Sequence, residues 1–337
     1  MENKKSRATI YEVAKEANVS LATVSRVING KGNVNEETAK LVRDAITKLG
    51  YIPSDQARGL ATSMSANIGI VLPSTNYVYI NKILAGMLDV CKIYGYRPLL
   101  FTYENVEDAE RAVDSVIASR VEGIVIFNSQ LETADVKKFT NISLPVVVIG
   151  NDRLNERNAL VNTDNGTPLK NFIEAEVKNG IKKIIFLRDP NKDWHMTNGY
   201  EDAILEVLKD NKQVVYETKE IKDSYIPIYE YYVEYFKTHK PNHELYVCTR
   251  DTLAHALVNA GVDLGLKVPD DYEVMGIMGT KDSRKCRPQI SSIKAPLYDL
   301  GAYAMRMLTK MLTSTLAADK YIYVLPAEYI KRNTTKV

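Results

Sequence analysis

Three residues of the stretch "VSLATVSRVING", Ala22, Arg26 and Asn29, fall at i, i+4 and i+7 and so share one face of a helix. A small residue, a cation and an amide are poorly suited to burial, whereas Val24, Val27 and Ile28 are well suited to it. The polar set suits recognition by hydrogen bonds, because arginine presents a rigid fork of donors and asparagine pairs donors with an acceptor. Arg306 and Lys310 also stand four apart, a spacing that lets a phosphate bridge two cations on one helical face; an ordinary solvated basic face is the alternative. His239 and His243 share that spacing, but Pro241 between them breaks the helix a metal pair would need. Cys91, Cys248 and Cys286 are far apart and in no C-x-x-C arrangement, so neither a disulfide framework nor a zinc site is expected, and a reduced cytosol fits. With no glycine-rich phosphate loop, nucleophile elbow or H-E-x-x-H motif, no metal, cofactor or enzymatic reaction is expected.

The elements that must position the first set are short helices. Thr9 with Glu12 makes a capping box for one, Ser20 can cap the next, and Asn35 followed by Glu36 and Glu37 opens a third that stops at Gly50. The third places Leu41, Val42, Ala45, Ile46 and Leu49 at helical spacing for burial. In "IYEVAKEANVSLATVSRVING", Val13, Ala14, Ala17, Val19, Val24 and Val27 face inward across a tight turn, which is helix-turn-helix geometry. Leu21, Ala22 and Arg26 then face outward where a major groove can be read, Arg26 being suited to a bidentate contact with guanine. Thr9, Tyr11, Ser20, Thr23, Ser25 and Asn29 offer hydroxyls and an amide for phosphates, which fix register without reading sequence.

Beyond residue 66 the pattern changes. Apolar runs such as "NIGIVLP", "VEGIVIF" and "LPVVVIG" alternate with amphipathic helices, which argues for parallel sheets in a doubly wound α/β region. The joining stretch, residues 53–66, reads as a hinge helix that folds only when held, with a plain flexible linker as the alternative. Net charge is +2 over 337 residues, and residues 1–64 hold ten Lys/Arg against seven Asp/Glu, so the basic excess is N-terminal and modest. The first twenty residues carry charges throughout and no run of about eighteen apolar residues follows, so neither export nor a membrane span is expected.

From Thr9 to Thr62 the sequence resembles the N-terminal domain and hinge of the LacI/GalR transcription regulators, and the likeness continues to "LPAEYIKRNTT". The resemblance implies an N-terminal all-α helix-turn-helix domain (residues 1–52) with a hinge helix (53–66). An α/β periplasmic-binding-protein-like core of two doubly wound parallel-sheet subdomains follows, residues 67–161 with 293–324 and residues 162–292 with 325–337. It implies a cytoplasmic homodimer on a palindromic double-stranded DNA operator, with Leu60 as the hinge leucine that wedges into the minor groove and Ala57 and Arg58 beside it. The segment "RPQISSIKAPLYDLGAYAMRMLTKML" is similar to the catabolite-control members, in which it helps bind serine-phosphorylated HPr; Tyr298, Arg306 and Lys310 carry that implication.

The cleft that holds small molecules in the family maps here to Tyr77, Asp164, Trp194, Met196, Arg250 and Met278. Arg250 stands for the turn aspartate of "G-T-D-x-M-A", and Met196 and Met278 replace a cation and a carboxylate, so a sugar held by charged groups is not expected. Arg250 suits an anionic ligand or pairs with Asp251. Trp194 lines the cleft or lies on the surface. Two functions compete: a regulator of carbon catabolite genes modulated by serine-phosphorylated HPr, and a repressor of the same family gated by a small molecule in the cleft. A ligand-sensing protein without DNA binding would leave residues 1–64 unexplained.

Overall fold

The computed structural model describes residues 8–29, 34–51, 65–73, 78–103, 106–127, 143–150, 158–188, 190, 195–222, 224–316 and 321–337. The chain divides into two units, Met1–Ala66 and Asn67–Val337. The first holds helices α1 (Ile10–Glu16), α2 (Leu21–Asn29) and α3 (Glu36–Leu49). Each starts on a cap. Thr9 and Glu12 close a reciprocal capping box on α1, the Ser20 hydroxyl accepts the Thr23 N–H at 3.1 Å, and the Asn35 amide oxygen accepts the Glu37 N–H at 3.0 Å. Gly50 ends α3 in the left-handed region at φ 58°. Val13, Ala14, Ala17, Val24, Val42, Ala45 and Tyr51 form the core, with Val19, Val27, Ile28, Ile46 and Leu49 partly buried against it. Leu41 corrects the expectation: it is 55% exposed, because the buried stripe of α3 runs through Ala39, Val42 and Ala45.

The second unit contains two six-stranded sheets. The first lobe carries β1 (Asn67–Pro73), β2 (Arg97–Tyr103), β3 (Gly123–Phe127), β4 (Val146–Ile149), β5 (Ala159–Asp164) and β11 (Ile322–Pro326), in the order β11-β5-β4-β3-β1-β2 and all parallel. Its helices are α4 (Val78–Tyr94), α5 (Val106–Ala118) and α11 (Leu297–Leu312). The second lobe carries β6 (Lys183–Arg188), β7 (Val215–Glu220), β8 (Glu244–Cys248), β9 (Tyr272–Ile277), β10 (Ser291–Lys294) and β12 (Glu328–Ile330), ordered β12-β10-β9-β8-β6-β7; only the β10–β12 pair is antiparallel. Its helices are α6 (Gly166–Lys178), α7 (His195–Leu208), α8 (Tyr225–Thr238), α9 (Asp251–Asp263) and the short α10 (Lys281–Lys285). The fully buried strands β3 and β4 are continuous apolar runs, as strands covered on both faces usually are, while the equally buried β9 carries one carboxylate, Glu273.

The chain passes between lobes after β5, β10 and β11, so the strands run on to Asp164, Lys294 and Pro326, two or three residues past the expected boundaries. Helices α4 and α11 pack tightly because both contribute a glycine: a Cβ on Gly86 would collide with the Tyr298 carbonyl, and one on Gly301 with the Ile83 carbonyl. No helix among the described residues is long and apolar enough to cross a membrane.

Candidate nucleic-acid interface and core sites

On α2 the polar face is presented as its spacing requires. Leu21 is 38% exposed, Ala22 and Arg26 are exposed, Thr23 and Ser25 are half-buried, and Asn29 closes the helix. On α1, Tyr11 is 69% exposed. Three hydroxyls expected to face phosphates, those of Thr9, Ser20 and Thr23, are engaged locally. Thr9 accepts from the Glu12 N–H and donates to its carboxylate, and those contacts with the Thr9 backbone and hydroxyl hold Glu12 below the usual carboxylate range. Ser20 lies 2.9 Å from the Thr23 hydroxyl in addition to capping α2. Ala57, Arg58 and Leu60 lie outside the described residues.

On α11, Arg306 and Lys310 are both exposed and line one pocket of about 650 Å³ with Tyr94, Tyr303, Met307 and Tyr323. Tyr303 and Tyr323 stack with ring centroids 4.5 Å apart, a rigid aromatic wall beside the two cations. Tyr298 is on the same helix, 45% exposed, but its hydroxyl donates to Asp89 of α4 at 2.8 Å and it is not among the pocket's lining. The aromatic lining comes from α4, α11 and β11 and had no signature in the spacing of the cations. His239, for its part, ends α8 stacked 4.3 Å from Tyr235, and His243 lies beyond the helix.

The third set gathers at the carboxyl ends of the strands, the usual crevice of open α/β sheets. Arg250 follows β8, is 7% exposed, and sets its guanidinium 5.2 Å from the centre of the Tyr79 ring on α4. Asp251 begins α9, so the turn also carries a carboxylate one residue beyond Arg250. Fully buried, Asp251 accepts from the Ser292 hydroxyl at 2.6 Å and from the Thr280 N–H, and burial pushes its pKa up to about 6. Met278 is buried, with a left-handed φ of 102°. Asp164 is half-buried and accepts the Thr167 N–H at 2.9 Å, beside a cavity of about 310 Å³ that Asn165, Tyr200 and Val324 also line. Met196 falls in the first turn of α7, while Tyr77 and Trp194 lie outside the described residues. Tyr79 and Tyr200, absent from the sequence-derived set, are central here; Tyr79 carried only the signal of a core position, in register with Ile83 and Met87.

Two family descriptions match the chain: "Bacterial regulatory proteins, lacI family" over residues 9–54 and "Periplasmic binding protein-like domain" over residues 173–335. The HTH-type transcriptional regulator pepR1 of Lactobacillus delbrueckii subsp. lactis is 33% identical over 332 residues, covering 98% of this chain and 98% of that protein. The chain belongs to the LacI family. Another relative in that family, catabolite control protein A of Staphylococcus aureus, is 31% identical over 334 residues, 97% of this chain and 99% of its own length. The Lac repressor dimer bound to operator and the anti-inducer ONPF aligns with a TM-score of 0.85 at 24% identity, over 98% of this chain and 100% of that one, which shows the shared LacI-family fold. As a LacI-family member the chain is a DNA-binding transcriptional regulator.

Proposed function

We propose that this regulator binds palindromic operators as a cytoplasmic homodimer and controls carbon catabolite genes in response to serine-phosphorylated HPr. The observation that carries the reading is the exposed pair Arg306 and Lys310 on the rim of an aromatic-lined pocket. Two exposed cations there give charge-assisted bonds to a phosphate, about twice as strong as neutral ones, while stacked rings offer apolar contact to the surrounding protein. The similarity to catabolite control protein A supports the same partner. Arg26 reads a base edge, Leu21 and Ala22 contact bases, the hydroxyls of Tyr11 and Ser25 hold phosphates, and Leu60 wedges the centre of the operator. Pairing of two copies is supported by apolar side chains left in water, Leu88, Ile93 and Leu100 on the first lobe and Ile226 and Val262 on the second.

Fluorescence anisotropy of labelled operator tests this. Serine-phosphorylated HPr should raise operator affinity, unphosphorylated HPr should raise it far less, and Arg306→Ala should remove the difference while leaving basal DNA binding intact. Enhancement by a free sugar, with none from phosphorylated HPr, would instead establish the effector-gated repressor.

A further inference from the structure

We propose that Arg250 and Tyr79 form a built-in clasp that holds the two core lobes together across the cleft without a bound small molecule. Arg250 belongs to the second lobe, at the N-cap position of α9, where its side chain makes no capping bond, and Tyr79 to the first, in the opening turn of α4. Both are buried, Arg250 at 7% exposure and Tyr79 at 3%, and the guanidinium carbon lies 5.2 Å from the ring centre. A cation over an aromatic face in a desolvated place is held far more firmly than the same pair in water.

The surroundings make this arrangement a contact between lobes rather than a local one. Asp251, the adjacent carboxylate, is taken up by Ser292 and Thr280 of its own lobe. Tyr79 is backed by Phe127 of the first lobe, ring centres 6.2 Å apart, and the carbonyl of Phe127 is fixed by the Tyr103 hydroxyl at 2.7 Å. On the other side Arg250 acts on the buried Tyr200, whose hydroxyl accepts from Asn165 at 3.1 Å. Tyr79, Phe127, Tyr200 and Met278 belong to one hydrophobic cluster that joins the lobes. A centre of the cleft built from rings and a thioether offers a polyol few partners, but gives a guanidinium a dry seat.

The clasp is independent of operator and of any protein partner, so its test uses neither. Small-angle scattering and amide hydrogen exchange on the full chain compare Arg250→Ala, Tyr79→Leu, Tyr79→Phe and the double variant Arg250→Ala/Tyr79→Leu with the parent. Arg250→Ala and Tyr79→Leu should each enlarge the radius of gyration and speed exchange of cleft-facing amides about tenfold, the loss expected for one buried cation–ring contact. Tyr79→Phe keeps the ring and should match the parent, and the double variant should be no looser than either single one. Parent-like scattering and exchange in Arg250→Ala, multiplying effects in the double variant, or faster exchange spread evenly over the core would each overturn the clasp. Should Arg250→Ala fail to fold, the contrast between Tyr79→Leu and Tyr79→Phe decides by itself, equal behaviour of the two overturning it.

Discussion

The outward face of α2 and the cleft of the core are both recognition surfaces, and they are built in opposite ways. On α2 one nine-residue helix supplies Leu21, Ala22 and Arg26, and its own geometry turns them to the same side. In the cleft, Tyr79, Asp164 and Tyr200 come from three elements and Arg250 and Met278 from the turns after β8 and β9, spread over two lobes. A one-helix surface is sensitive to its own residues and indifferent to remote packing. A surface assembled from many elements inherits every error in how they pack, and its side chains are as apt to contact each other as a ligand.

The largest expected effect comes from a contact between two helices of the core. Gly301→Ala drives a methyl into the Ile83 carbonyl and forces α11 away from α4, the helix that carries Tyr79. Denaturant unfolding should show a loss of about 3 kcal/mol in the core, at the upper end for overpacking, with operator-reading specificity unchanged. Arg26→Ala should do the reverse: about 1–3 kcal/mol of operator affinity is lost and preference relaxes at one base pair in each half-site, with core stability untouched. Equal weakening on all sequences would make Arg26 a phosphate contact and blur the contrast. Removing the α2 cap by Ser20→Ala should cost about 1 kcal/mol of stability in the helical unit, read by its thermal unfolding.

The remaining effect is a pH dependence confined to the core. Glu176 is fully buried beside Glu273, and burial together with that second carboxylate pushes its pKa from 4.5 up to about 8. Between those values the folded chain holds a proton that the unfolded chain has released. Stability therefore falls as pH rises through this window and levels off above it. Glu176→Gln should flatten the dependence and raise the Tm near pH 8 by about 4 °C, measured by calorimetry across the range. An unchanged slope would show that another group carries the proton.

How much was legible follows the same division. Capping residues Thr9, Ser20 and Asn35, the apolar strands and the i, i+4 pair Arg306 and Lys310 all act within one element, and each stands where its spacing demands. Leu41 failed because helical spacing says which residues share a face but not how wide the contact with a neighbour will be. The surroundings of Arg250 were illegible for a deeper reason: the ring it meets across the cleft, Tyr79, is 171 positions away in sequence and reads there as one more core residue.

By itself the sequence determined the helix-turn-helix face, the alternation of strands and helices and the family, because these rest on periodicity, caps and motifs that neighbouring residues settle among themselves. Only the tertiary structure decided which lobe each strand joins, that Gly86 and Gly301 let two helices touch, that aromatic rings surround Arg306 and Lys310, and that Arg250 meets a ring while Asp251 turns away. Those outcomes depend on side chains meeting across long loops of chain, where burial and charge are properties of the assembled neighbourhood rather than of any residue in it.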